Sequence, residues 1–165
     1  MPASAAIASV LRETDGYPAF LGDDDLEAFV TPSNEIAAWV ALDANRVVGH
    51  VLLRRSSAPR ASEVAAAALG VDATRLAFVA RLMVLPDVRR RGIARALLAT
   101  AADGAHSRGF VGVLDVLVED VAAISLYEAE GWQRFGRTMF TMRDGRVFGE
   151  LVFAAPGAKA GVAAD

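Results

Sequence analysis

Between Leu82 and Gly109 the chain reads LMVLPDVRRRGIARALLATAADGAHSRG, and this stretch restricts the possible folds more than any other. An apolar run, Leu82 to Leu85, stops at Pro86. Three arginines, Arg89, Arg90 and Arg91, then lead into Gly92, Ile93 and Ala94. From there Ile93, Leu97, Leu98, Ala101 and Ala105 recur at three- and four-residue spacing, the mark of an amphipathic helix. The stretch predicts a strand, a basic turn and a helix that ends at Gly109.

The physics of that junction favours an anion. The first N–H groups of a helix have no intrahelical partners, and the helix dipole adds partial positive charge at the same end. Gly92 lets a ligand approach the backbone closely, Ala94 is the next smallest choice, and the arginines supply fixed cationic donors. Phosphate or pyrophosphate suits such a turn. Taken alone, the turn is equally compatible with a solvated basic loop that ends a strand.

A chain of 165 residues, 54% hydrophobic and 22% charged, is long and apolar enough to bury one sizeable core, which predicts one domain over residues 1–155 and a flexible tail over 156–165. The net charge of -3 gives no general reason to expect nucleic acid as a partner, so the arginine turn is a local basic feature. There is no cysteine, which excludes disulfides, thiolate metal sites and cysteine acyl-enzymes. His50 and His106 lack ligand spacing, so no metal is expected. With no signal peptide and no membrane-spanning run, a cytoplasmic protein without a membrane partner is the expectation.

Taken in order, Ile7, Val10 and Leu11 share a helical face and predict a helix over 4–14; the acidic run Asp23, Asp24 and Asp25 predicts a second over 23–30. Glu35–Leu42 and Arg46–Arg55 form a hairpin around Asp43, Ala44 and Asn45. Residues 56–75, rich in alanine and small polar residues, read as a surface excursion with a short helix over 62–69 closed by Gly70. Strands follow over 75–85 and 110–118, joined through the basic turn and its helix as a parallel crossover. Asp120 can cap a helix running to Glu130 and closed by Gly131; Phe135–Met142 and Val147–Ala154 make a second hairpin.

The segment from Asp120 to Trp132, DVAAISLYEAEGW, adds a second constellation. Together with V-x-P-x-x-R-x-x-G-x-A at Val84 to Ala94 it resembles the GNAT superfamily of acetyl-CoA-dependent N-acetyltransferases. The family's phosphate motif R/Q-x-x-G-x-G/A is matched by Arg89, Gly92 and Ala94. Its later motif, N-x-x-A-x-x-L-Y-x-x-x-G-F, is matched at Ala123, Leu126, Tyr127, Gly131 and Trp132, with Asp120 where asparagine is usual. Two motifs in the right order and at the right separation are far more specific than either alone. The resemblance is best over residues 75–132 and fades before Glu35.

The resemblance implies an α/β (α+β) GNAT fold: a mixed, mostly antiparallel sheet with a central splayed parallel strand pair, flanked by helices. It implies that Leu82, Met83 and Val84 line the pantetheine arm of acetyl-CoA. Arg89, Arg90, Arg91, Gly92, Ile93, Ala94 and Arg95 would hold its phosphates, with Asp120 in the second cofactor-binding motif. Tyr127 matches the tyrosine that protonates the leaving thiolate, a role suited to a phenol of pKa about 10. Asp115, twelve residues earlier, resembles the acidic position from which some ribosomal-protein N-terminal acetyltransferases take the amine proton. Glu119 with a water relay is a rival, and Arg81 stands on the fourth strand where other members carry glutamate.

Transfer would be direct attack of a neutral primary amine, of a small molecule or a peptide N-terminus, on the bound thioester. The alternative is an acyl-CoA-binding or regulatory module that keeps the fold without turnover. Tyr17, Phe20, Asp23, Asp24, Asp25 and Glu27 occupy the segment that lines the acceptor cleft in many relatives; a solvated helix start is the plainer reading. Trp39 and His50 read as sheet packing or cleft lining. Relatives begin with a strand before the first helix, whereas this pattern starts helical. A vestigial or absent first strand leaves the Glu35 strand as an edge and motivates a homodimer.

Overall fold

The computed structural model describes residues 7, 10, 12, 29–56, 59–142 and 144–158. Six strands form one mixed sheet in the order β1-β2-β3-β4-β6-β5. Packing divides the chain into two compact units, Met1–Arg54 with Val79–Gly104, and Arg55–Phe78 with Ala105–Asp165. The helix expected over 4–14 falls mostly outside the described residues, as does most of the one over 23–30; Ile7, Val10, Arg12, Phe29 and Val30 are helical. Whether a strand precedes them also lies outside.

In the first unit, β1 (Glu35–Asp43) and β2 (Arg46–Arg54) are antiparallel, with Asp43 paired to Arg46 around a two-residue turn. Ala44 takes a φ of 52° there. β3 (Leu76–Val84) follows the excursion, and the N–H of Leu85 donates to the Val48 carbonyl at 2.9 Å. The helix α2 (Ile93–Ser107) buries the face that its periodicity predicts: Leu97 and Leu98 are 4% and 1% exposed, and Ala101 and Ala105 are fully covered.

Gly49 permits a close approach here. A Cβ on it would sit 3.0 Å from Leu97 Cδ1, 3.0 Å from the Met83 carbonyl oxygen and 3.3 Å from Ile93 Cγ2. Backbone cannot yield as a flexible side chain can. Gly49→Val should therefore cost about 1–3 kcal/mol by overpacking. Urea unfolding should show it as a lower midpoint at unchanged slope.

The second unit corrects one expectation. The segment read as a surface excursion carries α1 (Pro59–Leu69), which starts three residues earlier than expected because proline is well placed in a first helical turn. Ala61, Ala65 and Leu69 are buried and join Leu76, Phe78, Val113, Val152 and Ala154 in one core cluster. Alanine has little apolar surface to announce itself, yet its small size lets a helix sit close to a sheet. Gly70, at φ 63°, closes the helix, with the Val71 N–H donating to the Ala66 carbonyl.

β4 (Val111–Leu117) runs parallel to β3 through Leu76↔Val111, Ala77↔Gly112 and Phe78↔Val113, as the crossover requires. The helix α3 (Val121–Ala129) is capped by Asp120, whose Oδ1 accepts from the Ala123 N–H at 3.1 Å. It ends at Gly131, φ 78°, where the Trp132 N–H donates to the Tyr127 carbonyl and the Gly131 N–H to that of Glu128. β5 (Gln133–Thr141) and β6 (Val147–Ala154) complete the antiparallel hairpin, and β6 also pairs antiparallel with β4. The expected mixed, mostly antiparallel sheet with a central parallel pair is what forms.

Candidate active site

The basic turn is built by the ladder that precedes it. β3 departs from extended geometry at Arg81, whose φ is 53°. The kink is held on both sides: the Arg81 guanidinium carbon lies 3.9 Å above the Phe29 ring, and its carbonyl lies 3.1 Å from His50 Nδ1. A carbonyl can only accept, so Nδ1 carries the proton and donates it. His50 is fully buried, and desolvation lowers its pKa; the bond to Arg81 opposes that and the Arg81 charge adds to it. The ring is neutral at pH 7.

After the kink, Leu82 is half-buried and Met83 and Val84 are buried. A 3-10 turn, Pro86–Val88, ends the strand. Arg89 is exposed, and its Nε donates to the Val84 carbonyl at 3.2 Å, tying the turn back to β3. The β1–β2 turn grips the same loop. Arg46 Nη1 donates to Asp87 Oδ2 at 2.8 Å, a bond that holds the Asp87 carboxyl below its ordinary range, and Arg91 Nη1 lies 3.6 Å from Asp43 Oδ2. Both ion pairs are exposed, so each positions the loop and contributes little to stability.

Arg90 and Gly92 both have positive φ, 66° and 82°. Such left-handed residues beside a helix start bring successive N–H groups into a concave, anion-binding arrangement. The first helical bond among the described residues runs from the Ala96 N–H to the Gly92 carbonyl at 3.0 Å, so the N–H groups of the turn lie ahead of the helical ladder. A Cβ on Gly92 would find nothing within 4 Å, which leaves room for a ligand. Arg90 is exposed and has no ionic partner among the described residues, whereas Arg89 and Arg91 are partly committed. Ile93 and Ala94 are half-buried and Arg95 is exposed at the helix start. Leu82–Arg95 thus forms one continuous wall and turn.

In the second unit, Asp115 lies half-buried on β4, opposite Val152 of β6, and Leu117 lies opposite Glu150. Side chains at alternate positions share a face, so Asp115 and Glu150 are diagonal neighbours on one side of the ladder. Their carboxyls are close enough to interact. Glu150 is 8% exposed, and burial together with the Asp115 charge pushes its pKa up to about 7. Glu150 is the functional candidate that the sequence reading passed over, although it is the one charge in Val147–Ala154.

Leu114 pairs with Phe153, which puts Phe153 on the other face of the same ladder. Tyr127 packs there, with ring centroids 5.9 Å from Phe153 and 6.3 Å from Trp132, and is 9% exposed. The two candidate proton-transfer groups therefore occupy opposite faces of β4 and β6. Asp120 is occupied as the helix cap, and Glu119 is exposed. Tyr17, Phe20, Asp23, Asp24, Asp25 and Glu27 lie outside the described residues. Among the described residues no group of three His, Asp or Glu side chains converges as a metal site, and no helix is long and apolar enough to cross a membrane.

The fold has many solved counterparts. The Escherichia coli ribosomal-protein-S18-alanine N-acetyltransferase superposes with a TM-score of 0.66 at 20% identity, covering 98% of this chain and 92% of its own. Arabidopsis thaliana NAA60, solved in complex with acetyl-CoA, superposes with a TM-score of 0.65 at 16% identity over 92% of this chain and 90% of that one. At such identities the likeness establishes the fold. No curated protein matches the chain by sequence. The model of the acetyltransferase (GNAT) family matches residues 7–132, most of the chain, and this protein belongs to that family.

Proposed function

We propose that the protein is an N-acetyltransferase that moves the acetyl group of acetyl-CoA to a primary amine by direct attack, with both substrates bound together. The observation that carries the reading is the turn from Arg89 to Gly92. Its two left-handed residues, the open space before Gly92 and the helix start behind it suit a pyrophosphate, and a family relative is solved with acetyl-CoA. Arg90 is the cation best placed to add to the backbone donors, and Leu82, Met83 and Val84 supply apolar wall for the pantetheine arm.

The chain has no cysteine, so no thiol is on hand to form an acyl-enzyme, and the amine itself attacks the thioester. Catalysis then rests on positioning and on proton traffic. Asp115 takes the amine proton and Tyr127 protonates the departing thiolate. Their placement on opposite faces of β4 and β6 suits an amine that arrives from one side and a thiol that leaves from the other. The test is free-thiol release from acetyl-CoA across polyamines, aminoglycosides, amino acids and peptide N-termini. Amine-dependent release with a matching acetylated product is expected; binding of acetyl-CoA without release on any amine would identify a binding module instead.

A further inference from the structure

We propose that Glu150 is a positioning residue for the proton transfer, sharing with Asp115 the proton that the acceptor amine gives up. The role rests on the acetyltransferase reading above. Its starting point is geometric: two carboxyls on adjacent strands, on one face and diagonal to each other, with Glu150 buried and Asp115 half-buried. Two carboxyls this close can hydrogen-bond only with a proton between them. The pair therefore has a singly protonated form in which the proton is shared, and a dianionic form in which like charges repel.

That repulsion answers a chemical difficulty. A primary amine is largely an ammonium ion at neutral pH and must lose a proton before it attacks. An isolated aspartate, with a pKa of about 3.9, is a weak base for the task. The dianionic pair is a stronger one, because the first proton it binds relieves the repulsion and gains the hydrogen bond. Burial of Glu150 and the Asp115 charge place that protonation at about 7, where a general base works best.

Among the described residues, Asp115 is the charged group acting on Glu150. Thr138 of β5 lies opposite Glu150, and Arg137 pairs with Leu151 on the other face, its guanidinium beside Gly149. Arg60 and Glu63 of α1 and Glu119 after β4 are exposed.

The ammonium gives one proton to the dianionic pair, the freed amine forms the N–C bond, and the carbonyl pair moves to oxygen. Collapse breaks the C–S bond; Tyr127 gives its proton to the thiolate and regains one from water, and the nitrogen releases its second proton to water. The pair returns its proton to water.

Two readouts test the role. Carbon-13 carboxyl titration of the resting protein should show one side chain titrating near neutrality. That titration should be lost in Glu150→Gln and should move down by more than about one unit in Asp115→Asn. With the most active amine of the panel, Glu150→Gln should lose the neutral acid limb of kcat/KM and fall roughly tenfold at pH 8, while acetyl-CoA affinity holds. Glu150→Asp should restore much of the limb. Ordinary carboxylate titration in the wild type, or a Glu150→Gln limb that matches the wild type, would overturn the role and leave the acetyltransferase reading standing. Thiol release on no amine would remove that reading, and this role with it, whatever the carboxyls do.

Discussion

Tyr127→Phe should lower kcat by about 10²-fold while changing acetyl-CoA affinity less than about twofold. The substitution removes one oxygen and keeps the ring that packs against Phe153 and Trp132. The ends of α3 are set elsewhere, by the Asp120 cap and by backbone bonds at Gly131, so the helix should keep its bounds. A thiolate leaving without a proton donor is the step that suffers. Single-turnover thiol release, paired with calorimetric binding of acetyl-CoA, separates the two quantities. A kcat within about threefold of wild type would remove Tyr127 from the acid role.

Gly92→Asp should weaken acetyl-CoA binding by about 10²-fold. Two costs add. A non-glycine residue at φ 82° is strained by about 1 kcal/mol or more, and a carboxylate there repels a pyrophosphate at close range. Together about 3 kcal/mol gives the stated factor. Gly92→Ala carries the strain without the charge and should lose only about three- to tenfold. Because nothing lies within 4 Å of the added Cβ, neither variant should disturb packing, and the strained φ should lower both thermal midpoints by only a few degrees.

Much of this site is legible in the sequence because its makers are local. Pro86 and Gly92 punctuate a strand and a helix whose periodicities are plain, and Asp120 and Gly131 mark both ends of α3. What escapes the sequence is set by partners distant along the chain. Arginine is an unlikely residue for a positive φ, so nothing local announces the kink at Arg81; His50 and Phe29 hold it from other elements. The grip of Asp43 and Arg46 on the arginine turn depends on where the β1–β2 hairpin lands.

Glu150 is the clearest case. On its own strand it looks like a solvated charge, and only the β4–β6 register brings it to Asp115. The alanines of α1 mislead in the opposite sense. Their weak hydrophobic signal suggests a surface segment, yet their small size is what allows Ala61 and Ala65 to be buried against the sheet.

The most direct test of the account is calorimetric binding of acetyl-CoA and of acetyl-pantetheine, which lacks the phosphates, to the wild type and to Gly92→Asp. If the turn from Arg89 to Gly92 holds the pyrophosphate, the wild type should prefer acetyl-CoA by about 10²-fold or more, and Gly92→Asp should erase most of that preference. Equal affinity of the wild type for the two thioesters, or a preference that Gly92→Asp leaves intact, would contradict it.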